Sequence, residues 1–89
     1  MNKMAGQISE VDEVITGLSE IQEDSTVPKN VRAKIELIIN ALREDTETPI
    51  KVNKALNVLD ELASDVNLQA YTRTQIWNIM SVLEKLHQN

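Results

Sequence analysis

The sequence contains no cysteine and no phenylalanine, and only two glycines and two prolines among its 89 residues. Without cysteine there is no disulfide framework and no thiol chemistry. So few glycines and prolines argue against an all-β domain, which needs many tight turns. One Trp and one Tyr leave the core to aliphatic side chains. A chain this short forms a single domain with a thin core, and we expect it to span residues 1–89, with residues 1–6 as a flexible tail.

Long apolar runs are also missing, and none approaches the roughly 18 residues of a membrane-spanning helix. The stretch MNKMAGQISE has one Lys and no apolar segment, unlike a signal peptide. We therefore expect a cytoplasmic protein that does not bind membranes. The net charge is −5, and residues 1–26 carry six acidic side chains against one Lys. An acidic chain without a basic block is a poor candidate for binding nucleic acid.

What the chain does contain is four amphipathic segments with a period of about 3.6 residues. The apolar stripes are Ile8, Val11, Val14, Ile15, Leu18 and Ile21; Val31, Ile35, Ile38, Ile39 and Leu42; Val52, Ala55, Leu56, Leu59, Leu62 and Ala63; and Ile76, Ile79, Met80, Leu83 and Leu86. We expect helices over residues 7–23, 28–43, 49–64 and 68–87. Short connectors make neighbouring helices antiparallel, so the predicted fold class is all-α, an up-and-down four-helix bundle.

Several residues mark the helix ends. Pro28 suits the first turn of the second helix, where its missing N–H costs nothing. Thr48 is expected as the N-cap of the third helix with Pro49 at its first position, and Asn67 as the N-cap of the fourth. Gly17 inside the first helix costs about 1 kcal/mol relative to Ala. Close helix packing and a tolerated defect both explain it.

The second half of the chain repeats the first. Residues 11–43 align with residues 52–84 at an offset of 41, with eight identities in 33 pairs. Aligned apolar stripes produce some of these matches by themselves. Two explanations stay open, a duplicated helical hairpin and two independently similar hairpins.

The repeat includes the joints between helices, DSTVPKNVR and DVNLQAYTR. In each joint an Asp (Asp24 or Asp65) ends one helix, and an Arg (Arg32 or Arg73) lies in the first turns of the next. Between them an apolar residue closes the end of the bundle. The Asp is expected to accept bonds from free N–H groups at the next helix start or to pair with the Arg. We interpret these four residues as a structural joint.

Three stretches together resemble a known family: EDSTVPKNVR (23–32), VLDELASD (58–65) and TRTQIWNI (72–79). They resemble a family of small uncharacterised archaeal proteins, number 0147, over nearly the whole chain. The resemblance implies a four-helix bundle of bromodomain-like topology. It implies no activity, because that family has no established function.

Catalytic and metal-binding groups are scarce. His87 is the only His, and Glu84-x-x-His87 has the spacing found in di-iron bundles, which need a second copy that this chain lacks. Ser and Thr side chains have no base other than His87 to activate them. No glycine-rich phosphate loop is present. We expect no catalytic residues, no metal, no cofactor and no enzymatic activity.

Three large side chains lie away from the apolar stripes. Trp77 projects about 100–115° from the centre of its stripe, Tyr71 lies on the opposite flank of the same helix, and Leu37 points away from the stripe of the second helix. Such residues are enriched where partners bind, although a Trp at the edge of a bundle is also common. The leading hypothesis is an interaction module that self-associates or binds another protein through these flanks.

Two alternatives remain. One is an accessory protein that binds RNA or a small anionic ligand through Arg32 and Arg73, which share one end of the bundle if the repeat is real. The other is a hydrolase, which requires a buried carboxylate pair that the sequence does not reveal.

Overall fold

The protein is described by a computed structural model that covers residues 9–88, with the side chains of residues 9–86. Its four helices are α1 (Glu10–Glu23), α2 (Lys29–Leu42), α3 (Thr48–Ala63) and α4 (Ala70–Gln88). Each packs against the next, and α4 closes the ring against α1. Over these residues the diagonal pairs, α1 with α3 and α2 with α4, make no close backbone approach. The predicted all-α, up-and-down four-helix bundle is confirmed.

The core is aliphatic, as the composition predicts. Every helix contributes a fully buried side chain: Leu18, Ile35, Leu59 and Leu83 are all 0% exposed. Complete burial of one such side chain stabilises the fold by about 1.5–3 kcal/mol. The predicted stripe residues are buried or partly buried, except that Ile8 lies outside the described residues, as does the predicted tail, residues 1–6.

The first two helices begin later than predicted. The hydroxyl oxygen of Ser9 accepts a hydrogen bond from the N–H of Asp12 at 3.1 Å. This N-cap starts α1 at Glu10 rather than at residue 7. Pro28 occupies the N-cap position of α2, one residue before the first turn where it was expected.

The N-cap predictions for α3 and α4 were wrong. Glu47 takes the N-cap position of α3, which moves Thr48 into the helix and Pro49 to its second position. The N–H of Asn67 donates to Oδ1 of Asp65 at 2.9 Å. That bond holds the chain in a turn, so Asn67 does not cap α4, which begins at Ala70.

Candidate functional site

The two joints have the same backbone geometry. Oδ1 of Asp24 accepts the N–H of Thr26, and Oδ1 of Asp65 accepts the N–H of Asn67, both at 2.9 Å. In each joint the following residue donates its N–H to the carbonyl of the Asp at 3.1 Å. The carboxylates thus cap the turn itself, and not the helix that follows. Two hydrogen bonds from Thr26 hold the pKa of Asp24 below its ordinary value of 3.8, the larger effect coming from the backbone N–H and the smaller from the hydroxyl.

Arg73 binds the joint through backbone carbonyls. Its Nε donates to the carbonyl oxygen of Ala63 at 3.0 Å, and its Nη2 donates to the carbonyl oxygen of Asp65 at 2.6 Å. The carbonyl of Ala63 lies in the last turn of α3, where helical carbonyls lack partners within the helix, and the carbonyl of Asp65 lies in the turn that follows. Arg73 therefore ties the start of α4 to the end of α3 without using the Asp65 carboxylate.

Arg32 makes no equivalent bonds, although it occupies the matching position in α2. Its Nε is buried and has no hydrogen-bond partner in the part of the chain that the structure describes. Gln22, which stands where the second hairpin has Ala63, donates to the carbonyl of Arg32 at 3.4 Å and to the Glu36 carboxylate at 2.6 Å. The joints are alike in backbone and different in side-chain bonding.

The three off-stripe side chains are exposed but do not form one surface. Tyr71 is 69% exposed, Leu37 61% and Trp77 54%. Trp77 lies one turn after Arg73, which reaches α3, so Trp77 lies on the flank of α4 that is turned towards α3. Leu37 lies on α2, which is diagonal to α4. The structure therefore does not bring Leu37 and Trp77 together.

A larger feature surrounds Trp77. The exposed residues of α4 before Glu84 are all uncharged: Ala70, Tyr71, Thr74, Trp77, Asn78 and Ser81. These six residues are called the neutral face of α4. Arg73, the only charged residue between Ala70 and Ser81, is partly buried and bound to α3. Scarce charge together with exposed aromatic rings characterises the centre of protein interfaces.

The matching face of α2 shows that the fold does not require a neutral surface. At the 41-residue offset, α2 carries Lys29 and Glu36 where the neutral face of α4 carries Ala70 and Trp77. Lys29 and Glu36 are both exposed. Both helices occupy equivalent places in the bundle, yet at these matched positions only α2 carries exposed charges.

Sequence reasoning missed Thr74, Asn78 and Ser81 because each is an ordinary polar residue. The available signal was the scarcity of charge around them. Between Asp65 and Glu84, Arg73 is the sole charged residue, although the chain as a whole is 26% charged. This run includes TRTQIWNI.

The described part of the chain offers neither a metal cluster nor a membrane span. Its side chains include no group of three or more His, Asp or Glu residues placed to hold a metal. The side chain of His87, and with it the Glu84-x-x-His87 motif, lies outside them. Within residues 9–88, no helix combines the length and apolar character needed to cross a bilayer.

Known proteins show the same fold with related sequences. A crystal structure of a protein of unknown function, MMP1188, matches with a TM-score of 0.80 and 41% identity, over 84% of this chain and 86% of that one. A crystal structure of a Thermoplasma acidophilum protein from the uncharacterised family UPF0147 matches with a TM-score of 0.81 and 37% identity, over 86% and 92% of the two chains.

Curated relatives agree with these structures. A UPF0147 protein of Methanocaldococcus jannaschii is 41% identical over 84% of this chain and 86% of its own length. One of Archaeoglobus fulgidus is 37% identical over 85% of this chain and 87% of its own length. The model of the uncharacterised protein family UPF0147 matches residues 1–86, so the chain belongs to that family.

Proposed function

We propose that the chain is a non-enzymatic protein–protein interaction module, and that the neutral face of α4 is its binding surface. The observation that carries this proposal is the contrast between two equivalent helices. At the six positions of α2 that match the neutral face, Lys29 and Glu36 are exposed charges, whereas the neutral face of α4 bears none. The fold tolerates charged residues at these positions, as α2 shows. A face without them is easier to desolvate, which favours contact with another protein.

Trp77 and Tyr71 would supply most of the contact energy. Aromatic side chains offer a large area that can be desolvated, and a few such residues carry most of the binding free energy at interfaces. The non-enzymatic part of the proposal rests on the sequence, whose single His and missing Cys leave few groups for nucleophilic chemistry. The proposal places the module in the cytoplasm, in keeping with its cysteine-free composition.

The test compares variants of the neutral face with control variants on α2, of which Asn40→Glu lies at the position that matches Ser81. Trp77→Ala and Ser81→Glu change the neutral face, whereas Leu37→Ala and Asn40→Glu make similar changes at exposed positions of α2. Self-association is followed by light scattering over a concentration series, and partner retention by pull-down from native lysate. We expect the two α4 variants to lose association by tenfold or more, and the two α2 variants to keep it. Unchanged self-association and partner contacts in Trp77→Ala would refute the proposal.

A second candidate, the binding of RNA or a small anionic ligand, is favoured by one observation. The buried Nε of Arg32 has no hydrogen-bond partner among residues 9–88. Because Arg73 is already bound to two carbonyls, Arg32 would have to be the main ligand-binding residue. Binding that is lost in Arg32→Ala supports this candidate, and binding that survives that change refutes it.

A further inference from the structure

We infer that the neutral face of α4 binds a second copy of the same chain, with the two α4 helices antiparallel and Trp77 near the twofold axis. This inference rests on the proposed function and specifies its partner. A twofold interface uses the same patch on both subunits, so each contact residue of α4 must find its counterpart on the same side of α4 in the second copy.

Charge favours a second copy as the occupant. Each chain has a net charge of −5, so two copies repel wherever acidic surfaces meet. The exposed side of α1 carries Glu10, Asp12, Glu13, Glu20 and Glu23. The neutral face of α4 lets two copies meet without opposing like charges. A strongly charged partner would find no complementary charge there, which makes it the poorer match.

A row of exposed residues along α4, called its outward line, determines whether the two α4 helices of a dimer run parallel or antiparallel. Ala70, Thr74, Ser81 and Lys85 are exposed and recur at spacings of four and seven residues, which keeps them on one side of a helix. A parallel pair would place Lys85 opposite Lys85 of the second copy and would align the two helix dipoles. An antiparallel pair avoids both conflicts.

One antiparallel register superposes this line on itself around Trp77. It sets Thr74 opposite Ser81 of the second copy and Ala70 opposite Lys85 of the second copy. Its axis then passes between Trp77 and Asn78, so the largest exposed apolar side chain lies at the centre of the contact, where binding energy concentrates. Because the twofold axis brings each flank of α4 against the same flank of the second copy, Trp77 meets Trp77 of the second copy, and the two indole rings pack against each other.

The size of the contact indicates a reversible dimer. A stable interface buries about 800 Å² on each partner, more than one outer face of a helix offers. We therefore expect association that depends on concentration and exchanges readily, not a permanent dimer.

Introduced cysteines test the register, because the natural sequence has none. Thr74→Cys and Ser81→Cys are prepared separately, and one is isotope-labelled so that mass spectrometry distinguishes mixed from like disulfides. A disulfide requires Cα atoms about 4.4–6.8 Å apart. Mild oxidation of the mixture at concentrations that favour association should join the two different variants in at least fivefold excess over either like pair. Ala33→Cys mixed with Asn40→Cys, the matching pair on α2, should give only background cross-linking.

The outcomes separate this inference from the proposed function. A monomer at every concentration, like disulfides in excess over mixed ones, or an associating protein with no cross-link at either position would each overturn the antiparallel dimer. If Trp77→Ala still abolishes binding of a different protein in such a case, the interaction module stands and only the second copy is ruled out. If Trp77→Ala changes no contact at all, the proposed function fails too.

Discussion

Gly17 lies in the middle of α1, beside Ile79 of α4. A Cβ atom built on Gly17 would lie 3.5 Å from Cδ1 of Ile79, which is ordinary van der Waals contact. At the matching place in α3 the protein carries Val58. Close approach of the helices therefore does not require glycine here, and of the two explanations raised by the sequence the tolerated defect fits the structure better.

Gly17→Ala should stabilise the protein. Alanine loses less backbone entropy than glycine on entering a helix, which is worth about 0.5–1 kcal/mol in the free energy of unfolding. The added methyl group meets only the flexible end of Ile79. The measurement is the urea midpoint followed by circular dichroism, with Ser19→Ala as a control for a partly buried position in the same helix that already has a Cβ. A lower midpoint for Gly17→Ala would mean that α1 and α4 pack too tightly at this point to accept a methyl group.

Trp77 shows how far single residues can be interpreted from sequence alone. Its angle from the apolar stripe places it on a flank of α4, and the structure agrees with an exposure of 54%. The angle does not say which neighbouring helix that flank approaches. Only the carbonyl contacts of Arg73 show that it is α3.

At the level of the elements, Arg32 and Arg73 occupy matching positions in the repeat but make different hydrogen bonds in the two joints. Arg73→Ala should lower the free energy of unfolding by about 1–3 kcal/mol, because it removes charged hydrogen bonds to the carbonyls of Ala63 and Asp65. Arg32→Ala removes a side chain whose Nε has no partner among the described residues, so it should lower the free energy of unfolding clearly less. Urea unfolding of both variants measures the difference. Equal losses would mean that, in solution, Arg32 makes bonds in its own joint equivalent to those of Arg73.

Helix boundaries were predicted less well than the helices themselves. The apolar periodicity located all four helices, because each helix must bury its apolar stripe and the stripe therefore recurs with the helical period. The start of α4 was misplaced since Asn67 has the chemistry of an N-cap, and its N–H is instead taken by the carboxylate of Asp65. This turn is formed by a hydrogen bond between a carboxylate and the N–H two residues later, which apolar periodicity does not reveal. The same turn forms at Asp24, so it is common to both halves of the repeat.

At the level of the whole molecule, four stripes and short connectors were sufficient to predict the bundle. They were not sufficient to predict the proposed binding surface, because a surface depends on which helices are neighbours. Leu37 and Trp77 each leave their own stripe, yet α2 and α4 are diagonal in the ring. The neutral face is a property of the exposed residues of α4, which the apolar periodicity does not specify.

The charge of the molecule gives a prediction that separates the two candidate functions. Two copies that each carry −5 repel at long range, and the Debye length shortens from about 30 Å at 0.01 M salt to about 3 Å at 1 M. Contact through the neutral face contains no ion pair to be weakened by salt, so self-association should tighten severalfold across this range. Binding of RNA or an anionic ligand through Arg32 should weaken instead, because salt opposes the release of counterions.

Sedimentation equilibrium at three salt concentrations measures the first trend, and fluorescence anisotropy of a labelled single-stranded RNA measures the second. Ser81→Glu serves as the matched control, since it places a charge in the neutral face and should remove most association at low salt while leaving any binding at Arg32 unchanged. Self-association that weakens steadily as salt rises would show that ion pairs hold the copies together. The contact would then lie on a charged surface of the bundle and not on the neutral face of α4.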